Sequence, residues 1–165
     1  MTDDDKKIDE ILKLGIATEI NGGRFYDGFA KLVTHEEAKQ KLERLASDEV
    51  KHRKVLENIY NRYFKKDPTD IPEKGIGVFA RAFENRKLRK SISAPDLLDM
   101  AIEAESASHD FYAEGAKSTS DEKVKEVFLR LADEEDSHYN ILMAEKSALS
   151  GLDWFMSGSS GIFEH

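Results

Sequence analysis

The 165-residue sequence contains no cysteine, only three prolines, no basic excess and no long apolar run. Without cysteine, these residues form no disulfide, no iron–sulfur centre and no thiolate zinc or rubredoxin-type site. The 33 acidic against 25 basic residues, a net charge of −8, argue against a nucleic-acid-binding protein. No apolar stretch approaches the roughly 18–20 residues that span a bilayer, and the acidic N-terminus is unlike a secretory signal. We therefore expect a cytoplasmic protein that binds neither membranes nor nucleic acid.

Four long amphipathic segments dominate the sequence, and strand signals are scarce. The first two segments predict helices over about residues 6–33 and 34–64, with Thr34 as the N-cap of the second helix and Glu37 completing a capping box. The third helix is expected to begin near Ser93, because Pro95 suits a first helical turn. The fourth follows a turn-forming run at 118–121. The pattern predicts an all-α four-helix bundle.

An internal repeat relates the two predicted helical hairpins. Shifted by 86 residues, the sequence aligns with itself without a gap, and the identities fall on polar positions of otherwise apolar helix faces. Plain helical bundles have little reason to agree at such positions. The matching residues are Glu19 with Glu105, Phe25-Tyr26 with Phe111-Tyr112, Glu49 with Glu135, and His52 with His138.

The spacing of these polar residues predicts a two-metal site. Glu19 lies about 15 residues before the first turn and Glu49 about 14 after it, so at 1.5 Å per residue both lie about 21 Å from that turn. Four carboxylates buried together would be prohibitive without about four positive charges, which two divalent cations supply. Oxygen and imidazole ligands without thiolate suit iron or manganese. The pattern is that of di-iron carboxylate proteins, in which two helices each provide one Glu and the other two each provide one Glu-x-x-His motif. The predicted ligands are Glu19, Glu49, His52, Glu105, Glu135 and His138.

Several neighbours of the predicted ligands receive supporting or structural roles. Tyr26 and Tyr112 each lie two turns beyond a ligand glutamate, so we expect each phenol to hydrogen-bond a ligand carboxylate of the opposite hairpin. Gly22 and Ser108 occupy matching positions that leave room beside the ligands, and His109 is expected to lie beside the site or partly exposed. The acidic residues expected on solvated faces are Glu103, Glu114 and Glu134.

On these residues the sequence resembles the rubrerythrin branch of the ferritin-like superfamily. The resemblance covers 8–64 and 95 to about 145 and rests on the paired Glu…Phe-Tyr…Leu-Ala-x-x-Glu-x-x-His pattern. It implies a ferritin-like bundle, the same six ligands, two iron ions, and a cytoplasmic homodimer that reacts with peroxide or dioxygen in oxidative-stress defence. Manganese or a mixed iron–manganese pair remains an alternative. Ser108 stands where many members carry a further glutamate, and the absence of cysteine implies a separate electron donor such as a rubredoxin.

Alternatives to a peroxide- or dioxygen-dependent oxidoreductase stay open at this point. One is an iron-binding or ferroxidase protein for iron detoxification or storage, and another is an interaction module with a structural metal. We predict a bundle over 1–146, with hairpins at about 6–64 and 95–146 and a crossover at 65–94 that contains a short helix around 76–88. The crossover permits the hairpins to pair within one chain or to exchange between two. An extended tail at 147–165 is expected to dock through Trp154, Phe155 and Phe163.

Overall fold

Four long helices connected as two antiparallel hairpins build the bundle. The structure is a computed structural model that describes residues 1–77, 79 and 93–149. The helices are α1 (Asp3–Ala30), α2 (Glu36–Phe64), α3 (Ala94–Ser118) and α4 (Glu122–Leu149). The predicted all-α four-helix architecture is confirmed.

Side-chain caps explain where the helices begin. The hydroxyl of Thr2 accepts a hydrogen bond from the amide of Asp5, and Asp5 accepts one from the amide of Thr2, which completes a capping box. Ser93 caps α3 by accepting a hydrogen bond from the amide of Asp96, so α3 begins where the sequence predicts a helix start. The predicted Thr34 cap of α2 is wrong, because His35 holds that position and its Nδ1 accepts from the amide of Ala38 at 3.4 Å. An imidazole nitrogen therefore accepts the capping hydrogen bond in place of the side-chain oxygen of a typical N-cap residue.

Two other boundaries differ from the predictions or lie beyond the described residues. The helix α4 continues to Leu149, so 147–149, assigned from the sequence to an extended tail, are helical. The rest of that tail, with Trp154, Phe155 and Phe163, lies outside the described residues, as does most of the short helix predicted around 76–88.

Two apolar clusters fill the bundle, one on each side of a polar layer. The first core joins Phe25, Phe29 and Leu42 of the first hairpin to Leu98 and Leu142 of the second. The second core is formed in the same way from Leu12, Leu56, Tyr112, Phe128 and Leu131. The turn of the first hairpin therefore lies beside the open end of the second, so the hairpins run antiparallel to each other. The end of α2 and the start of α3, which the crossover joins, lie at opposite ends of the bundle.

The described part of the crossover is fastened to α1 beside this polar layer. The amide of Gly75 donates to the side-chain oxygen of Asn21 at 2.8 Å, and the amide of Ile76 donates to the hydroxyl of Thr18 at 3.0 Å. The Asn21 amide returns a hydrogen bond to the carbonyl of Glu73 at 3.1 Å. A Cβ on Gly75 would lie 2.4 Å from the Thr18 backbone, so only glycine permits this close approach.

Within residues 1–77, 79 and 93–149, no helix combines the length and apolarity that a bilayer span requires.

Candidate metal centre

The structure brings all six predicted ligand residues together in the polar layer between the two cores. None of the six is more than 4% exposed. Each helix contributes because the ligand positions continue its apolar stripe, so the packing that buries the cores also buries them. The residues are Glu19 of α1, Glu49 and His52 of α2, Glu105 of α3, and Glu135 and His138 of α4.

The six side chains form two overlapping groups that can each hold a cation. One group combines Glu19 and His52 with Glu49 and Glu135; within it, one ligand atom from each residue lies within 4.8 Å of the others. The second group combines Glu105 and His138 with the same Glu49 and Glu135, within the same limit. The two imidazole rings stack, with centroids 5.4 Å apart and planes 16° apart. Two carboxylates are therefore common to both groups, whereas each group has its own histidine.

Unsatisfied polar atoms test whether metal ions fit this site. Each of the six residues carries at least one buried oxygen or nitrogen without a hydrogen-bond partner among the described residues. In both histidines the atom without a hydrogen-bond partner is Nδ1. His52 Nδ1 lies 2.9 Å from a Glu135 oxygen, but the two atoms do not have hydrogen-bonding geometry. Buried polar groups are nearly always paired, and cations satisfy both the lone pairs and the charge. The donor set of carboxylates and imidazoles therefore fits divalent metal ions.

The electrostatics of the cluster show the same need for positive charge. Burial, and next the charge of Glu19, raises the pKa of Glu49 well above its ordinary value. Burial and the charge of Glu49 act in the same direction on the pKa of Glu135. Burial lowers the pKa of His52, but the carboxylates of Glu135 and Glu19 outweigh it and raise the value to about 11. In the absence of metal the cluster therefore retains protons that metal ions would replace.

The two tyrosines make the hydrogen bonds that the sequence predicts. Tyr26 of α1 donates its phenol proton to Glu105 of α3, and Tyr112 of α3 donates to Glu19 of α1. Both rings are fully buried. Burial and the neighbouring carboxylates raise both tyrosine pKa values well above the ordinary value, so the phenols keep their protons and act as donors. Each hydrogen bond fixes one carboxylate from the opposite hairpin.

Two further carboxylates orient the histidines, and sequence reasoning missed both. Glu134 lies 2.5 Å from His52 Nε2, and Asp48 lies 3.4 Å from His138 Nε2. Glu134 is on a solvated face as predicted, with its side chain 46% exposed, but its contact with His52 was not predicted. A carboxylate that accepts the Nε2 proton leaves Nδ1 free to bind a metal. The signal was present in the repeat, because Asp48 and Glu134 match under the shift of 86 and each immediately precedes a shared glutamate.

The remaining residues singled out from the sequence lie around the centre rather than in it. His109 is half-buried, and its Nδ1 lies 3.0 Å from the carbonyl of Ala132, to which it donates. Gly22 and Ser108 are buried beside the ligands. Glu103 and Glu114 are exposed, as expected.

Comparisons with known proteins agree with this architecture. The rubrerythrin family model matches residues 10–146 of the chain. Among solved structures, the chain is similar to a hypothetical protein from Pyrococcus furiosus, at 31% identity and a TM-score of 0.72. That match covers 87% of this chain and 90% of the archaeal chain. A search of curated proteins found no match.

Proposed function

The chain belongs to the rubrerythrin family, and on that premise we propose that it is a non-haem di-iron carboxylate oxidoreductase that reacts with peroxide or dioxygen. The main support for this proposal is the arrangement of the ligand atoms. Two buried groups of ligand atoms share Glu49 and Glu135, and each has a histidine and a glutamate of its own. Paired metal sites with common carboxylates are the arrangement that holds two iron ions for redox chemistry.

The residues divide between the two ions according to these groups. Glu19 and His52 Nδ1 would hold one iron, and Glu105 and His138 Nδ1 would hold the other. The shared glutamates would bridge them. Two ferrous ions bound there would supply the electrons that reduce peroxide or dioxygen.

The protein side chains control geometry and protons at the site. Tyr26 and Tyr112 hold the two unshared carboxylates by donated hydrogen bonds, and their raised pKa values keep those donors protonated. Asp48 and Glu134 hold the imidazoles by Nε2, which directs Nδ1 inward. The apolar cores on both sides limit water access, which strengthens every electrostatic interaction in the layer.

Electrons for repeated turnover must come from elsewhere. No cysteine occurs among the 165 residues, so they contain no rubredoxin-type centre. We propose that a separate donor, such as a rubredoxin, reduces the centre.

Metal analysis followed by an anaerobic peroxide titration tests the proposed function. The protein is produced in iron-replete medium, its metals are quantified, and the ferrous form is titrated with hydrogen peroxide while absorbance is recorded. We expect about two irons per chain, oxidised rapidly by peroxide. Glu135→Ala should lose both the iron and the reaction, whereas the exposed Glu114→Ala provides a matched control that keeps them.

The outcomes separate the competing functions. Trace metal in the parent protein, unchanged by Glu135→Ala, would overturn the di-iron assignment. Oxidation of many irons per chain with dioxygen, without peroxide turnover, would favour the ferroxidase alternative. Bound metal that neither peroxide nor dioxygen oxidises would point to a structural site.

A further inference from the structure

The face between α1 and α3 differs from the opposite face of the metal centre. Between α2 and α4, the stacked imidazoles and their carboxylate partners fill the space beside the ligands. Between α1 and α3, the positions one turn beyond the ligand glutamates are the small residues Gly22 and Ser108. The crossover runs past this face, since Gly75 contacts Thr18 of α1 and a Cβ on Gly77 would lie 3.5 Å from Ala107 of α3.

The aromatic side chain of Phe79, in the described part of the crossover, fills the space at Gly22. Phe79 is 2% exposed. A Cβ built on Gly22 would lie 3.2 Å from the Phe79 ring and 3.4 Å from Oε1 and Cδ of Glu49. The phenylalanine ring and a shared ligand carboxylate therefore border the same small space, and an alanine at Gly22 would require the Phe79 ring to shift by a few tenths of an ångström.

Neighbouring rings hold Phe79 in this position. Its ring centroid lies 5.0 Å from that of Phe25 and 5.5 Å from that of Tyr26, the residue that donates to Glu105. Phe79 has no ligand or proton-transfer group, so its effect on the centre is steric and apolar. It packs against the ligand-fixing Tyr26 and borders the same small space at Gly22 as the shared ligand Glu49.

We propose that Phe79 is a specificity-determining residue that restricts the metal centre to small inorganic ligands. The inference rests on the proposed function, because it concerns what reaches bound metal. The ring occupies the volume that the organic group of a hydroperoxide or an aromatic carboxylate would need beside Glu49. Hydrogen peroxide, dioxygen and azide require no such volume.

Ligand binding to the cobalt-loaded protein tests this assignment without relying on turnover. Dissociation constants for azide and benzoate are measured from the visible spectrum of the Co(II) protein. The two anions carry the same charge, and only benzoate carries a ring of the size that Phe79→Ala removes. We expect Phe79→Ala to bind benzoate about tenfold more tightly than the parent protein, with azide affinity unchanged, since a vacated apolar cavity accepts an aromatic ring.

Two companion variants keep the result interpretable. Phe29→Ala removes an equally buried phenylalanine of the same core, about two turns along α1 from Gly22, and should leave both affinities unchanged. Phe79→Leu retains most of the core packing and should shift benzoate affinity in the same direction, so it carries the test if the alanine variant fails to fold. In the iron protein, the ratio of the cumene hydroperoxide rate to the hydrogen peroxide rate should rise in the same variants.

Different results would overturn the role of Phe79 and the proposed function. If the parent protein binds Co(II) and azide but neither Phe79 variant changes benzoate affinity, the specificity role is wrong and the metal centre stands. An equal gain in Phe29→Ala would also overturn the role, because general loosening would then explain it. A parent protein that binds no Co(II) overturns both.

Discussion

Replacing Glu135 with glutamine should stabilise the metal-free protein and weaken its stabilisation by metal. Glu135 is 1% exposed, and burial together with the charge of Glu49 raises its pKa well above the ordinary 4.5. The folded metal-free protein therefore holds this proton up to a higher pH than the unfolded chain does. Glutamine is neutral and nearly isosteric, so the variant has no such proton to bind on folding.

The size of the effect follows from the ordinary pKa. Protonating a carboxyl of pKa 4.5 at pH 7 costs about 3 kcal/mol, which sets the upper limit of the gain in the free energy of unfolding. Folding raises the pKa of Glu135. Its contribution to the free energy of unfolding is therefore fully present below pH 4.5 and is lost as the pH rises. The difference between Glu135→Gln and the parent protein should therefore be small near pH 4.5 and largest near neutral pH.

Metal should reverse the order of stabilities. A ligand present at about a thousand times its dissociation constant stabilises the native state by about 4 kcal/mol. The amide offers one neutral oxygen in place of a carboxylate that both ligand groups share. The parent protein should gain most of that stabilisation, and the variant little of it.

Urea unfolding followed by circular dichroism measures both effects, once with a chelator and once with Co(II). Glu114→Gln, an exposed substitution on α3, is the control and should change neither curve. A metal-free Glu135→Gln protein no more stable than the parent at pH 7 would refute the reasoning, because the cluster would then bear its negative charge without cost.

Three further substitutions probe the supports of the centre. Tyr112→Phe removes the phenol donor to a ligand carboxylate, and should raise the metal dissociation constant about tenfold in chelator competition. Glu134→Ala removes the carboxylate on a ligand imidazole, and should weaken metal binding by about 10–100-fold. Gly75→Ala places a Cβ 2.4 Å from the α1 backbone, and should lower the free energy of unfolding by about 1–3 kcal/mol.

Each of these substitutions has a matched control. Tyr139→Phe alters a half-buried tyrosine of α4 that is not part of the ligand groups, and should keep the parent metal affinity. Asp133→Ala removes the exposed acid next to Glu134. If a test variant and its control lost metal affinity equally, the loss would come from a general effect on helix packing and not from the removed hydrogen bond. The control for Gly75→Ala is Gly28→Ala, whose Cβ would meet no atom within 4 Å and which should therefore stabilise α1 by about 1 kcal/mol. If Gly28→Ala also lowered the free energy of unfolding, a steric clash would not explain the effect at Gly75.

Much of the site followed from periodicity alone. A helix rises by a fixed amount per residue, so the matching distances of Glu19 and Glu49 from their turn were enough to place them at one level. The repeat placed Glu105 and Glu135 in the same way, and the stripe that carries Tyr26 predicted its hydrogen bond to the opposite hairpin. Regular helical geometry makes such positions computable from residue numbers.

Other features depended on how the helices pack. Glu134 directly precedes a ligand, so about 100° of helical rotation separates the two, and an isolated helix directs it toward solvent. Only the packing of α4 against α2 brings it to His52. The cap at His35 likewise required the conformation of the turn.

The sequence by itself therefore determined the helices, their pairing and the level of the polar layer, because those depend on spacing along regular elements. The tertiary structure decided what surrounds that layer. Phe79 belongs to a connection without a long periodic pattern, and its position against Gly22 and Glu49 depends on the groove between α1 and α3. That groove exists only after two hairpins, distant in sequence, have packed together.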